Sequence, residues 1–189
     1  MPKKLILASA SPRRKQLLEQ VGLIFDIIPS DIDEEIFIHH DPLINIQAIA
    51  LNKALNVAMK IHKGLIIAAD TQVIVDNKVL GKPIDKTDAI RMLSDLSGKK
   101  HKVITGVAII DADTGMRESW VETTFVVFRK LTLDEILSYI ESGEYEGKAG
   151  AYGIQGRAAA FVERIEGCYF NVVGLPLAKL MENLRRFCK

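Results

Sequence analysis

The segment from Leu5 to Leu18, LILASASPRRKQLL, constrains the chain most, because three local signals meet in one turn. Leu5, Ile6 and Leu7 suit a buried strand. Ser11 is a good helix N-cap, its hydroxyl accepting an orphan backbone N–H, and Pro12 fits the first helical position. Arg13 and Arg14 then fall in the first helical turn, where the macrodipole disfavours cations. An anion would resolve that conflict. A phosphate at this turn could take backbone N–H groups, the Ser9 and Ser11 hydroxyls and a bidentate arginine together. A capped surface helix with solvated arginines explains the same residues, and this stretch leaves both readings open.

Further along, Gly22 reads as the residue that ends the helix, and Leu23 to Pro29 has strand composition. The acidic run Asp31, Asp33, Glu34 and Glu35 reads most simply as a solvated linker. Asp41 and Pro42 open a long helix whose Ile46, Ile49, Ala50, Ala54, Val57, Ala58 and Ile61 recur at helical spacing, with Lys53 in its middle. Leu65 begins a continuous apolar strand whose first charge is Asp70, expected near the strand's end. A carboxylate buried there needs a cation, a metal or a proton, so Asp70 is either structurally paired or a working acid. A hairpin turn at Asp76 to Lys78 returns the chain through Val79 and Leu80 to Gly81, Lys82 and Pro83, which brings Lys82 back towards Asp70.

Asp85 caps a helix carrying Ala89, Met92, Leu93 and Leu96 that stops at Gly98. VITGVAIID and WVETTFVVF read as two antiparallel strands about the turn DADTG, and Thr132 with Glu135 forms a capping box for a helix ending at Gly143. The glycine-rich stretch after Gly147 reads as irregular to Gly156 and strand-like beyond it. A hairpin at Glu166 and Gly167 leads into CYFNVVGL, and Pro176 starts a terminal helix. The order of elements argues for an α/β fold, a mixed twisted sheet with flanking helices. Its polar exceptions gather in strand-to-helix loops, where open α/β sheets place ligands.

A length of 189 residues suits one domain, residues 1–189, with room for two lobes. The formal net charge of +1 gives no global attraction for nucleic acid or membrane, so neither is an expected partner. Cys168 and Cys188 suggest neither zinc nor a disulfide framework. No run reaches transmembrane or signal-peptide form, which makes the cytoplasm the expected location. The chain lacks GxxxxGK[ST], an opening GxGxxG and GxSxG, so P-loop, dinucleotide and α/β-hydrolase chemistry are not indicated. The cations Arg13, Arg14, Lys53 and Lys82 with the carboxylates Glu34, Asp70 and Asp85 make one physical proposal, a magnesium polyphosphate. The same charges would serve a module that senses a nucleotide without hydrolysing it.

The turn ASASPRR, the DIDE segment, the strand ending AADT at Asp70 and Thr71, GKP at Gly81 to Pro83, LSG at Leu96 to Gly98 and AGAYGIQG, in this order, closely resemble the Maf family. These are nucleoside triphosphate pyrophosphatases associated with septum formation. The resemblance implies a fold like that of inosine triphosphate pyrophosphatases, a mixed sheet in two lobes around a cleft. It also implies metal-dependent hydrolysis, with Mg2+ or Mn2+, of a nucleoside triphosphate to a monophosphate and pyrophosphate. Carried over by position, it puts phosphate binding on Ser9, Arg13, Arg14, Lys53 and Lys82 and the catalytic proton acceptor on Asp70. Metal binding falls on Asp70 and Glu34, and substrate choice on Arg13, Thr71 and Gln155. The glutamine of AGAYGIQG resembles the branch acting on dTTP and UTP. The amide of Gln155 presents a donor beside an acceptor, complementary to the edge of uracil or thymine, and a flipped amide would tolerate cytosine and hence CTP. A homodimer is the family expectation. The alternative the resemblance carries is a nucleotide-responsive regulator of cell division whose hydrolysis is incidental.

Overall fold

The computed structural model describes residues 3–33 and 39–187, so Glu34 and Cys188 lie outside the described residues. Seven strands join in one mixed sheet: β1 (Leu5–Leu7), β2 (Phe25–Ile27), β3 (Leu65–Val75), β4 (Lys78–Leu80), β5 (Lys100–Asp111), β6 (Arg117–Phe128) and β7 (Val162–Glu166). Their order is β2-β1-β3-β5-β6-β7, with β4 paired to β3. The helices are α1 (Pro12–Gln20), α2 (Pro42–Ala58), α3 (Lys86–Leu96), α4 (Leu133–Glu141), α5 (Tyr169–Val173) and α6 (Leu177–Phe187). The expected mixed α/β sheet with flanking helices is therefore present. The chain clusters into two compact units, Met1–Asp70 with Thr105–Glu122 and Gly174–Lys189, and Thr71–Ile104 with Thr123–Val173.

In the first unit β1 pairs in parallel with both β2 and β3, in the registers Leu5↔Phe25 and Leu5↔Leu65. Parallel neighbours require crossovers, and α1 and α2 supply them. The core beneath α2 is made of Ile6 and Ala8 from β1, Ile66 and Ala68 from β3, and Ala108 and Ile110 from β5, against Ala50, Ala54 and Val57 of the helix. Small residues let the helix lie close to the sheet. The closest approach is at Gly106, where an added Cβ would collide with the Ile46 carbonyl on the first turns of α2. Asp111, buried at the far end of β5, accepts hydrogen bonds from Lys3, from the Asp113 backbone N–H and from the Thr114 hydroxyl.

In the second unit Asp76 and Asn77 take positive φ of 49° and 62°, the two-residue hairpin turn that joins β3 to β4 in the register Val73↔Leu80. Thr132 and Glu135 form the expected capping box on α4. Edge-on aromatic contacts link His101, Phe128, Tyr152, Phe161 and Tyr139 into a buried cluster.

Three expectations are corrected. Asp70 lies inside β3 rather than at its end, because the hairpin with β4 carries the strand on to Val75. Residues Arg157–Phe161 form a 3-10 helix, and strand structure starts only at Val162. CYFNVVGL is no strand. The Thr124 hydroxyl bonds both the N–H and the carbonyl of Cys168, and the buried Asn171 donates to Val103 O and Thr124 Oγ1, so the chain turns inward as α5.

Candidate functional site

Strand β1 is crossed in opposite directions, to β2 on one side and to β3 on the other, which makes its carboxyl end a topological switch point. The residues there are Ser9, Ala10 and Ser11, then α1. Ser11 is the N-cap, its hydroxyl facing the Arg14 N–H at 3.5 Å, and Pro12 occupies the first turn, as the sequence predicted. Ser9 Oγ accepts from Ser11 N at 3.2 Å and from Arg14 Nη1 at 3.1 Å, while Arg14 Nε donates to the Gly174 carbonyl at 3.0 Å. Arg14 is thereby anchored at both ends of its guanidinium. Arg13 beside it is half-buried.

The parallel register Leu7↔Ile67, continued by the Ala8 N–H donating to Ile67 O at 2.7 Å, sets this turn alongside Ala69 and Asp70. Side chains alternate along a strand, so Asp70 follows Ile66 and Ala68 on the face that α2 covers. On α2, Lys53 stands one turn from Ile49 and one from Val57, both buried, and its Nζ reaches Asp70 Oδ1 at 2.6 Å. The side chains are only 10% and 13% exposed, so most of this ion pair is shielded from water. Burial makes removal of either partner expensive, since the other charge is then stranded. The partner expected from the hairpin was Lys82, but the ion pair of Asp70 is made with Lys53, from the preceding crossover helix. Lys53 interrupts an apolar i, i+4 row, and a lysine in such a row needs a counter-charge.

Thr71, Lys82, Asp85 and Gln155 lie in the second unit. Thr71 follows Asp70 on β3, and Lys82 is exposed just past β4. The GKP segment is tied to the glycine-rich stretch by Gly150 N donating to Gly81 O at 3.0 Å. Gln155 is exposed between the buried Ile154 and Ala158. Asp85 serves as the N-cap of α3, accepting from Asp88 N at 2.7 Å, which accounts for it without a ligand. Glu34 lies outside the described residues. The structure brings together Ser9 with Arg14 and Lys53 with Asp70, and the register sets the first pair's turn beside the second.

Titratable groups away from these residues are set by burial and pairing. Burial pushes His101 down to about 4, against a smaller upward pull from the Lys99 backbone, and its Nε2 lies 2.9 Å from the buried Tyr152 hydroxyl. Burial likewise pushes Tyr152 up. The Arg129 guanidinium and the Thr132 backbone N–H hold Glu135 down at about 2.

A doubly wound parallel end with a capped, arginine-bearing helix and a buried carboxylate at the switch point defines an α/β protein with a candidate phosphate site. The family model described as Maf-like protein matches residues 4–187, and the chain belongs to that family. A relative from Ruminiclostridium cellulolyticum named dTTP/UTP pyrophosphatase is 50% identical over 185 residues, covering 97% of this chain and 96% of its own. Relatives of the same name from Carboxydothermus hydrogenoformans and Syntrophomonas wolfei are 51% and 52% identical, covering 97% and 95% of this chain and 98% and 95% of theirs. Among the described residues no helix is long and apolar enough to cross a membrane.

Proposed function

We propose that this chain hydrolyses nucleoside triphosphates to a monophosphate and pyrophosphate, with dTTP and UTP as its preferred substrates and CTP tolerated, acting as a homodimer in the cytoplasm. The observation that carries the reading is the buried Lys53–Asp70 pair at the switch point beside the Ser9 to Arg14 turn. The names of relatives about half identical over nearly the whole chain support it.

In this reading Ser9, Arg13 and Arg14 take the phosphate oxygens with the α1 N-terminus, and Lys53 and Lys82 add charge. Asp70 accepts a proton from water as the water oxygen bonds to the α-phosphorus. The bond from that phosphorus to the bridging oxygen breaks, and pyrophosphate leaves. Lys53, donating to Oδ1, holds the carboxylate in one orientation. Thr71 and Gln155 join Arg13 in substrate choice. Oxygen donors suit Mg2+ or Mn2+, and no group of three or more His, Cys, Asp or Glu among the described residues could hold a metal alone. Such ions bind through one or two carboxylates together with the substrate's phosphates, and Asp70 with Glu34 as the second would supply them. Such an ion, when bound, neutralises phosphate charge.

Incubation with a panel of nucleoside triphosphates and Mg2+ or Mn2+, resolving mono- and diphosphates and both phosphate products, tests this. dTMP and UMP with pyrophosphate are expected. Diphosphates with inorganic phosphate, or no turnover of any pyrimidine triphosphate, would overturn it.

A further inference from the structure

The segment carrying Gln155 is held by its main chain two residues to either side. Upstream, Gly153 N donates to the Tyr139 hydroxyl at 3.2 Å; downstream, Arg157 N donates to Glu144 Oε2 at 2.9 Å. Between these points Gly156 N closes a tight turn on Gly153 O at 3.1 Å. Tyr139 stands in the last turn of α4, and Glu144 follows just beyond the helix. Tyr139 is buried with its ring against Phe161, and Glu144 is fixed through its own backbone, its N–H donating to Ser142 Oγ at 3.3 Å and its carbonyl accepting from Lys148 Nζ. Glu144 approaches so closely that a Cβ on Gly156 would overlap its carboxylate. The adjacent Arg157 guanidinium reaches Glu144 Oε1 at 3.8 Å. Tyr152 and Ile154 are buried, while Gln155, Gly156 and Arg157 are exposed, so Gln155 offers a free-standing amide between the two anchored backbone positions.

We propose that Tyr139 and Glu144 are positioning residues for Gln155, and that nucleotide selectivity depends on them although neither reads the base. The inference rests on the reading that Gln155 contacts the base. An amide discriminates between base edges only when its donor and acceptor are held in place, and a backbone fixed at both flanks lowers the cost of ordering it on binding. Two neutral or singly charged hydrogen bonds to backbone N–H groups do this without occupying the side chain that binds.

The test uses the full-length protein, with steady-state pyrophosphate release from dTTP and from GTP as the mismatched base, and thermal melting for each variant. Glu144→Ala is expected to lower the dTTP-to-GTP ratio of kcat/KM about tenfold, carried by a higher KM for dTTP. Glu144→Gln, which keeps an oxygen for Arg157 N, should hold the ratio within about twofold. Tyr139→Phe keeps the ring and removes the hydroxyl that accepts from Gly153 N, so it should repeat the loss and decides the matter if Glu144→Ala fails to fold. In a Gln155→Ala background Glu144→Ala should add nothing, because both act through one contact. If Gln155→Ala lowers the ratio but folded Glu144→Ala and Tyr139→Phe do not, or if the effects simply add, the positioning role is wrong. If Gln155→Ala itself leaves the ratio unchanged, Gln155 does not read the base, and this inference falls with that assignment while pyrophosphatase activity stands.

Discussion

Asp70→Asn separates a catalytic carboxylate from a structural one. The substitution keeps size and one oxygen able to accept from Lys53 Nζ, now 2.6 Å from Oδ1, but removes the negative charge. With side chains 10% and 13% exposed, the stranded ammonium is poorly solvated. Deleting one partner of a buried pair costs roughly 3–5 kcal/mol, and the acceptor retained by the amide recovers part, leaving about 1–3 kcal/mol. For a chain of this size that lowers the melting temperature by about 3–10 °C. Turnover of dTTP should fall much further than such a loss explains, by on the order of a hundred- to ten-thousandfold, because the variant has no base for the attacking water. Pyrophosphate release, calorimetric binding of dTTP and thermal melting on one preparation separate these effects, and binding should survive largely intact. The double variant Lys53→Met/Asp70→Leu supplies the refutation. Replacing both charges by apolar groups of similar volume should recover the lost stability. If activity returns with it, or if Asp70→Asn turns over dTTP at near wild-type rates, Asp70 is only half of a structural pair.

Two further outcomes follow from the packing. Gly106→Ala should destabilise by about 1–3 kcal/mol, since its Cβ meets the Ile46 carbonyl and α2 must shift; activity should fall at temperatures well below melting because α2 carries Lys53, read by melting and kinetics together. His101 gives a sign for acid sensitivity: its folded value of about 4 lies below the ordinary 6.5, so the unfolded chain takes up a proton that the folded one refuses. Stability is full above pH ~6.5 and lost as the pH falls towards ~4, by roughly 3 kcal/mol in all, and His101→Gln should flatten that part of a urea-midpoint profile against pH.

The elements that were legible in the sequence are those whose boundaries are written in local chemistry. Ser11 and Pro12, Asp41 and Pro42, Asp85, and Thr132 with Glu135 each mark a helix start with side chains that satisfy orphan backbone N–H groups, and the structure has a cap at every one. The misread stretches depend on distant partners. CYFNVVGL has strand composition, yet its course is decided by Thr124 and Val103, more than forty residues upstream, which take the polar groups of Cys168 and Asn171. Intrinsic β preference is weak enough for either contact to override it.

The candidate site divides along the same line. Arg13 and Arg14 were legible as an oddity because the conflict of two cations with the helix dipole is local. Their anchoring was not, since Gly174 O carries no signal in its side chain that a guanidinium will meet it. Asp70 stood out as a charge in an apolar strand and Lys53 as a cation in an apolar helix, yet each alone admits several partners. What joins them is a parity argument that needs both periods at once. Ile66, Ala68 and Asp70 share one face of a strand with period two, Ile49, Lys53 and Val57 share one face of a helix with period near four, and the β2-to-β3 crossover lays those faces together. A charge on each of two apolar faces that must pack on each other has only the other charge as an affordable partner. The pair therefore follows from topology once the sheet order is known, and Lys82 belongs to neither face.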